Sequence, residues 1–157
     1  MNAEELLDLA RKQHAQIVTA ESCTGGLIAG ALTDVPGSSD VVDRGFVTYS
    51  NRSKKQMLGV MSSTLMRYGA VSEQVAQEMA DGALLRSDAS LAIAVTGIAG
   101  PGGSDNKPEG RVCFGLAFTG RNTFTETVEF GAIGRAQVRQ ATVEHALKLL
   151  TEALSTT

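Results

Sequence analysis

A chain of 157 residues, 43% apolar and with a formal net charge of -3, can bury a sizeable core without disulfide or metal staples. Its sequence pI of 5.4 removes any bulk attraction to nucleic-acid phosphates or anionic lipid, so neither nucleic acid nor membrane is expected as a partner and an anionic ligand must be held locally. Cys23 and Cys113 form neither a metal-ligand spacing nor a disulfide framework, and Met1 to Leu6 lack the basic and apolar regions of a signal peptide; the reading is one domain over residues 1–157 in a reducing cytoplasm.

In chain order, residues 3 to 13 carry Leu6, Leu7 and Ala10 at helical spacing and predict an amphipathic opening helix. Gln16-Ile17-Val18 reads as a buried strand, Leu27 to Leu32 as a helix, and Thr19-Ala-Glu-Ser-Cys-Thr-Gly-Gly26 as the junction between them. Such a junction offers free N–H groups to anions at the mouth of an α/β sheet. Val41-Val42 and Gly45 to Tyr49 predict a second strand, and Asn51 is the expected N-cap of a helix that Gly59 closes.

Ser62 opens a short helix ending near Gly69, and Ser72 opens a longer one with Val75, Met79, Gly82 and Ala83 along one side. The methionines between Met57 and Met66 are expected in the core or at an interface. Ser90 to Thr96 is apolar enough to be a central strand buried on both faces. Arg111 to Phe118 and Thr123 to Val128 read as a hairpin around Gly120-Arg121-Asn122, and a helix from about Arg135 closes the chain on Val138, Ala141, Ala146, Leu147, Leu150 and Leu154. His14 and His145 fall in helix-like segments and read as solvated or half-buried side chains.

This order predicts a three-layer α/β/α domain with a mixed, mostly parallel five-stranded sheet containing one antiparallel strand. Three loops, Glu21 to Gly26, Tyr49 to Lys54 and Thr96 to Gly103, then converge on one rim.

Two nucleophiles, Ser22 and Cys23, stand side by side there. A serine needs a base, and lysine serves when its pKa is lowered. Lys54 is the candidate, at the expected third helical position; the helix dipole contributes less than about one pKa unit there, so desolvation must supply most of the shift. Lys55 competes but points about 100° away around the helix. Tyr49 either relays a proton or holds the lysine, or is a strand tyrosine with its hydroxyl in water. Cys23 lacks a histidine to make its thiolate, and Cys113 reads as core. Thr24-Gly25-Gly26 and Gly97 to Gly103 offer N–H groups for a phosphate or an oxyanion, but neither fits the P-loop or dinucleotide pattern. Ser104-Asp105-Asn106-Lys107 matches S-x-x-K and S-D-N formally, as a coincidence on one polar loop.

Thr19 to Gly26, Gly45-Phe-Val-Thr-Tyr-Ser-Asn51 with Lys54, Gly69-Ala-Val-Ser72 and Thr96-Gly-Ile-Ala-Gly-Pro-Gly-Gly103 together resemble the CinA C-terminal domain family, in order and over nearly the whole chain. That family includes stand-alone nicotinamide-nucleotide amidases and the C-terminal half of larger competence/damage-inducible proteins, and at this length the chain looks like a stand-alone member. The resemblance implies hydrolysis of the carboxamide of nicotinamide mononucleotide to nicotinate mononucleotide and ammonia, by a Ser/Lys mechanism without metal or cofactor. It implies Ser22 as nucleophile, Lys54 as base and Tyr49 as polar partner of the dyad. It makes Glu21, Cys23, Thr24, Gly25 and Gly26 one half of the substrate cradle, and Thr96, Gly97 and Gly100 the other. Arg135 matches an arginine of a Gly-Asp-Arg step, here Ile-Gly-Arg, and takes the phosphate. The expected partner is a small-molecule nucleotide, and a homo-oligomer is compatible with the reading. Two other readings stand beside it: a nucleotide-sensing or partner-binding module without chemistry, and a cysteine hydrolase using Cys23.

Overall fold

The computed structural model describes residues 2–155. Among these residues the chain forms five strands and six α-helices: α1 (Ala3–Lys12), β1 (Ile17–Glu21), α2 (Leu27–Thr33), β2 (Val42–Val47), α3 (Asn51–Leu58), α4 (Ser62–Tyr68), α5 (Glu73–Leu85), β3 (Leu91–Gly97), β4 (Arg111–Phe118), β5 (Phe124–Glu129) and α6 (Arg135–Ser155). No helix among the described residues is long and apolar enough to cross a membrane.

The strands make one sheet in the order β2-β1-β3-β4-β5. β1 pairs in parallel with both β2 and β3, while β4 is antiparallel to β3 and β5. Four strands therefore run one way and β4 opposes them, as the hairpin signal implied. β1 extends through Thr19, Ala20 and Glu21, so the first three residues of the expected junction are buried strand and the turn proper starts at Ser22.

Alternation along β3 sorts the two cores. Leu91, Ile93 and Val95 face α1, α2 and α6, and Ala92 and Ala94 face α5. Large residues on one face and small ones on the other let α5 lie close on the sheet. Gly82 serves the same end between helices, because a Cβ there would collide with the Leu58 carbonyl at the end of α3. Gly82→Ala gains about 1 kcal/mol of helix propensity. It loses more, since overpacking against backbone costs about 1–3 kcal/mol or above; a lowered Tm is the expected result.

Helix boundaries follow local chemistry. Asn2 caps α1 through a bond from the Glu5 N–H, 2.9 Å, and Ser72 caps α5 through the Val75 N–H, 3.2 Å. The expected N-cap of α3 is corrected: Asn51 is its first helical residue, and Ser50 is the cap, in a reciprocal capping box with Ser53. Ser and Asn are both good caps, and the box decides between them because the serine at N3 returns a bond to the Ser50 N–H. Of the two places expected for the methionines between Met57 and Met66, core or interface, the core does not hold them. Met57 on α3, Met61 just before α4 and Met66 on α4 are exposed, Met66 by 87%; α4 buries none of its residues and touches the domain mainly through α5. His14 lies beyond α1 in a left-handed turn, and His145 packs against Phe114 and Phe130 with a 2.6 Å contact to Glu126 Oε1.

Candidate active site

The connection after β1 crosses the face carrying α2, and the connection after β2 crosses the opposite face with α3 to α5. Loops that part in this way leave a crevice at the carboxyl ends of the strands. A cavity of about 410 Å³ opens there, lined by Ser22, Cys23, Tyr49, Lys54, Thr96 and the Gly97 to Gly103 loop among others.

Ser22 is the first residue of the turn. Its N–H still donates to Val95 of β3, 3.1 Å, and its carbonyl accepts from the Gly25 N–H, 3.0 Å. Gly25 and Gly26 then take φ of +58° and +111°, conformations that side chains with a Cβ adopt at a cost. Lys54 is the fourth residue of α3, not the third, and points inward at 1% exposure. Lys55, one position on, is exposed.

Lys54 Nζ lies 2.9 Å from Ser22 Oγ, 3.0 Å from the Thr48 carbonyl oxygen and 3.4 Å from that of Tyr49. Three partners suit an ammonium, and they suit a neutral amine equally. Two N–H groups then donate to the carbonyls, and the one lone pair accepts from the Ser22 hydroxyl. Burial lowers the Lys54 pKa from 10.5 to about 8, with desolvation the main cause, so the neutral amine is a minor but far larger fraction near physiological pH than for an ordinary lysine. Burial acts oppositely on the neighbouring thiol, pushing Cys23 up to about 11. The two candidate nucleophiles are thereby separated: Ser22 has a base within hydrogen-bond reach, and Cys23 is held as a neutral thiol in the cavity wall.

Tyr49 holds the lysine through its backbone carbonyl. Its side chain is 61% exposed, and its hydroxyl accepts from Arg135 Nη2 at 2.9 Å, so the phenol is a wall of the cavity and not a member of the Lys54 contact set. Arg135 also donates through Nη1 to the Gly100 carbonyl, 2.6 Å. It thus ties the glycine loop to Tyr49 from the start of α6.

Glu21, Thr24, Gly25 and Gly26 do not line the cavity. Glu21 is fully buried and its carboxylate turns under the turn into the start of α2, accepting from Thr24 Oγ1 at 2.5 Å and from the N–H groups of Ile28 and Ala29 at 2.9 and 3.0 Å. The N-terminus of α2, expected to attract a ligand anion, is occupied by the chain's own carboxylate. Glu21→Gln keeps the shape but removes the charge from these bonds, which are worth about 1.5–3 kcal/mol each when charged; the expected result is a Tm several degrees lower, measured by calorimetry.

Sequence reasoning missed the far wall. Ala70 and Val71, at the corner between α4 and α5, and Ser104, Asp105 and Lys107 also line the cavity. Thr96 Oγ1 donates to the Ala70 carbonyl, 2.9 Å, and Lys107 Nζ to the carbonyls of Tyr68 and Val71, 2.6 and 2.5 Å. The signal was the Ser104 to Lys107 tract: its S-x-x-K form is incidental, but a lysine on a loop that follows a glycine run was worth placing on the rim. Among the lining residues Lys54, Lys107 and Arg135 stand against one carboxylate, Asp105. A locally basic cavity in an acidic chain suits an anionic ligand.

The comparisons with known proteins agree with this architecture. A crystal structure of the competence/damage inducible protein CihA from Agrobacterium tumefaciens superposes with a TM-score of 0.93 at 52% identity, covering 98% of this chain and 93% of that one. A CinA superfamily protein from Klebsiella pneumoniae gives a TM-score of 0.93 at 36% identity, with 100% of both chains covered. In sequence, the chain is 52% identical over 159 residues to a CinA-like protein of Chlorobium phaeobacteroides, covering 98% of this chain and 38% of that protein. It therefore spans well under half the length of that relative, and of the CinA-like protein of Chloroherpeton thalassium, of which it covers 37%. It is also 54% identical over 128 residues to the nicotinamide-nucleotide amidohydrolase PncC of Enterobacter agglomerans, covering 81% of this chain and 78% of that one. The model of the CinA C-terminal domain matches residues 1–154, and with the sheet order and cavity described above this chain belongs to that family.

Proposed function

We propose that the chain is an amidohydrolase that cleaves the carboxamide of a nicotinamide nucleotide, nicotinamide mononucleotide in the first instance. The observation that carries the reading is the buried Lys54 amine 2.9 Å from the Ser22 hydroxyl. The 54% identity to a nicotinamide-nucleotide amidohydrolase supports the substrate class, as does the basic lining of the cavity.

Ser22 Oγ attacks the carboxamide carbon while Lys54 takes its proton. The oxyanion is held by backbone N–H groups at the cavity wall. Collapse of the intermediate breaks the C–N bond, and Lys54 returns the proton to the departing nitrogen, which leaves as ammonia. Water then attacks the Ser22 ester with Lys54 again as base, and the carboxylate product is released. Thr96, Gly97 and Gly100 form the substrate cradle, with Cys23 packing beside the reacting group. Arg135, with two donors already on Gly100 and Tyr49, presents its remaining N–H groups and its charge to the phosphate.

The test is ammonia and nicotinate mononucleotide release from nicotinamide mononucleotide by the purified chain, and no release sinks the reading. One observation favours a second reading: the longer relatives carry this unit as 38% of their length or less, as a ligand-sensing module would be carried. Calorimetric binding of the nucleotide without ammonia release selects that alternative. Cys23→Ala is expected to keep kcat within about threefold of the parent, because its thiol pKa of about 11 leaves almost no thiolate at neutral pH; loss of activity there would transfer the nucleophile to Cys23.

A further inference from the structure

Arg135 and Arg139 stand one helical turn apart at the start of α6, which places them on the same side of the helix. Arg135 goes to the glycine loop and Tyr49. Arg139 goes to the other half of the site: its Nε donates to the Cys23 carbonyl at 3.1 Å and its Nη2 to the Thr24 carbonyl at 3.2 Å. These are the first two peptide carbonyls after Ser22.

A guanidinium presents its donors in a rigid planar fork, so two carbonyls held by one arginine cannot rotate independently. The grip matters at this point in the chain. Only Cys23 and Thr24 separate Ser22 from Gly25 and Gly26, both at positive φ, and glycine adds no side chain to stiffen a turn. From inside, the turn is held by Glu21 through Thr24 Oγ1; from outside, it is held by Arg139. Arg139 is half-buried and does not line the cavity, so it does not act by touching a ligand.

We propose that Arg139 is a positioning residue for Ser22, clamping the Cys23 and Thr24 carbonyls so that the Ser22 hydroxyl stays on the Lys54 amine. The proposal rests on the amidohydrolase reading for its substrate assay and is independent of it for nucleophile reactivity. The test uses the full chain as wild type, Arg139→Met and Arg139→Lys, each checked for folding by Tm. The rate at which phenylmethylsulfonyl fluoride labels Ser22 is followed by mass spectrometry, alongside kcat and KM for ammonia release from nicotinamide mononucleotide. In labelling, Ser22 Oγ bonds to sulfur, fluoride leaves, and Lys54 takes the hydroxyl proton.

Misplacement of a reacting group by an ångström costs about 10²-fold. Arg139→Met is expected to lower labelling rate and kcat together by about that factor with KM within about threefold. The midpoint of the pH profile should not move, since Lys54 has no contact with Arg139. Arg139→Lys, which can reach one carbonyl, recovers part of the rate. Three results overturn the proposal: a folded Arg139→Met that is labelled within twofold of the wild-type rate, a raised KM with unchanged kcat, or a wild type not labelled at Ser22. If Arg139→Met does not fold, Arg139→Lys decides in its place, full labelling at the wild-type rate overturning the clamp. A wild type labelled at Ser22 that releases no ammonia refutes the amidase reading alone, and the labelling rates still decide the role of Arg139.

Discussion

On the proposed mechanism, Ser22→Ala is expected to lower ammonia release from nicotinamide mononucleotide by at least about 10³-fold in kcat and to leave the fold intact. Removal of the nucleophile from a coupled catalytic unit costs this much or more in serine hydrolases. The structural cost is small because the lost oxygen makes one side-chain contact, to Lys54 Nζ, and a buried hydrogen bond contributes about 0.5–1.5 kcal/mol net. Lys54→Met should be as damaging, and the double variant no worse than either single one, since nucleophile and base act as a unit. Steady-state kinetics on the three proteins, with Tm as the control for folding, tests both statements. Losses that multiply in the double variant would show that the two groups act independently.

The second large effect is on pH. With Lys54 at about 8, kcat/KM is expected to rise tenfold per pH unit below that value and to level off above it, because the base must be neutral to accept the serine proton. The same shift has a consequence for stability. The folded-state pKa lies below the 10.5 of an ordinary lysine, so between about 8 and 10.5 the unfolded chain binds more protons than the folded one and stability rises with pH across that window. Below it both states are protonated and the full cost of the buried cation, about 3 kcal/mol at 1.36 kcal/mol per unit, is present. Lys54→Met lacks this titration. Denaturant unfolding at pH 7 and pH 10 should show wild type gaining stability on the variant as pH increases, other titrations cancelling in the difference. Parallel curves would mean that Lys54 titrates like a surface lysine.

Much of the site was legible before folding was considered. The turn after β1, the loop after β2, which starts at Thr48 and not beyond Tyr49 as expected, and the glycine loop after β3 are punctuated by glycine, serine and asparagine, whose turn and cap preferences are local. The choice of Lys54 over Lys55 rested on the angle between successive helical residues, and a capping box one residue earlier than expected did not disturb it. The elements in which neighbours compete were less legible. Glu21 looked like a rim carboxylate, but a carboxylate next to an uncapped helix start finds the N–H groups of Ile28 and Ala29 before it finds a ligand. Met66 looked like a packing residue, but a seven-residue helix held mainly against α5 leaves its outer face in water.

The sequence by itself determined the order of elements and the sheet's one reversed strand, because hydrophobic periodicity, caps and turns act over a few residues; it offered Ser22 and Lys54 only as candidates beside Cys23 and Lys55. Tertiary structure decided the rest. It brought Lys54 across thirty-two residues to Ser22 and out of water, which is what moves its pKa. It turned the Tyr49 hydroxyl to Arg135, buried Glu21 beneath α2, and closed the far wall with Lys107 and the α4–α5 corner. Each of these outcomes depends on which groups exclude water from one another, and that is set only when distant segments pack.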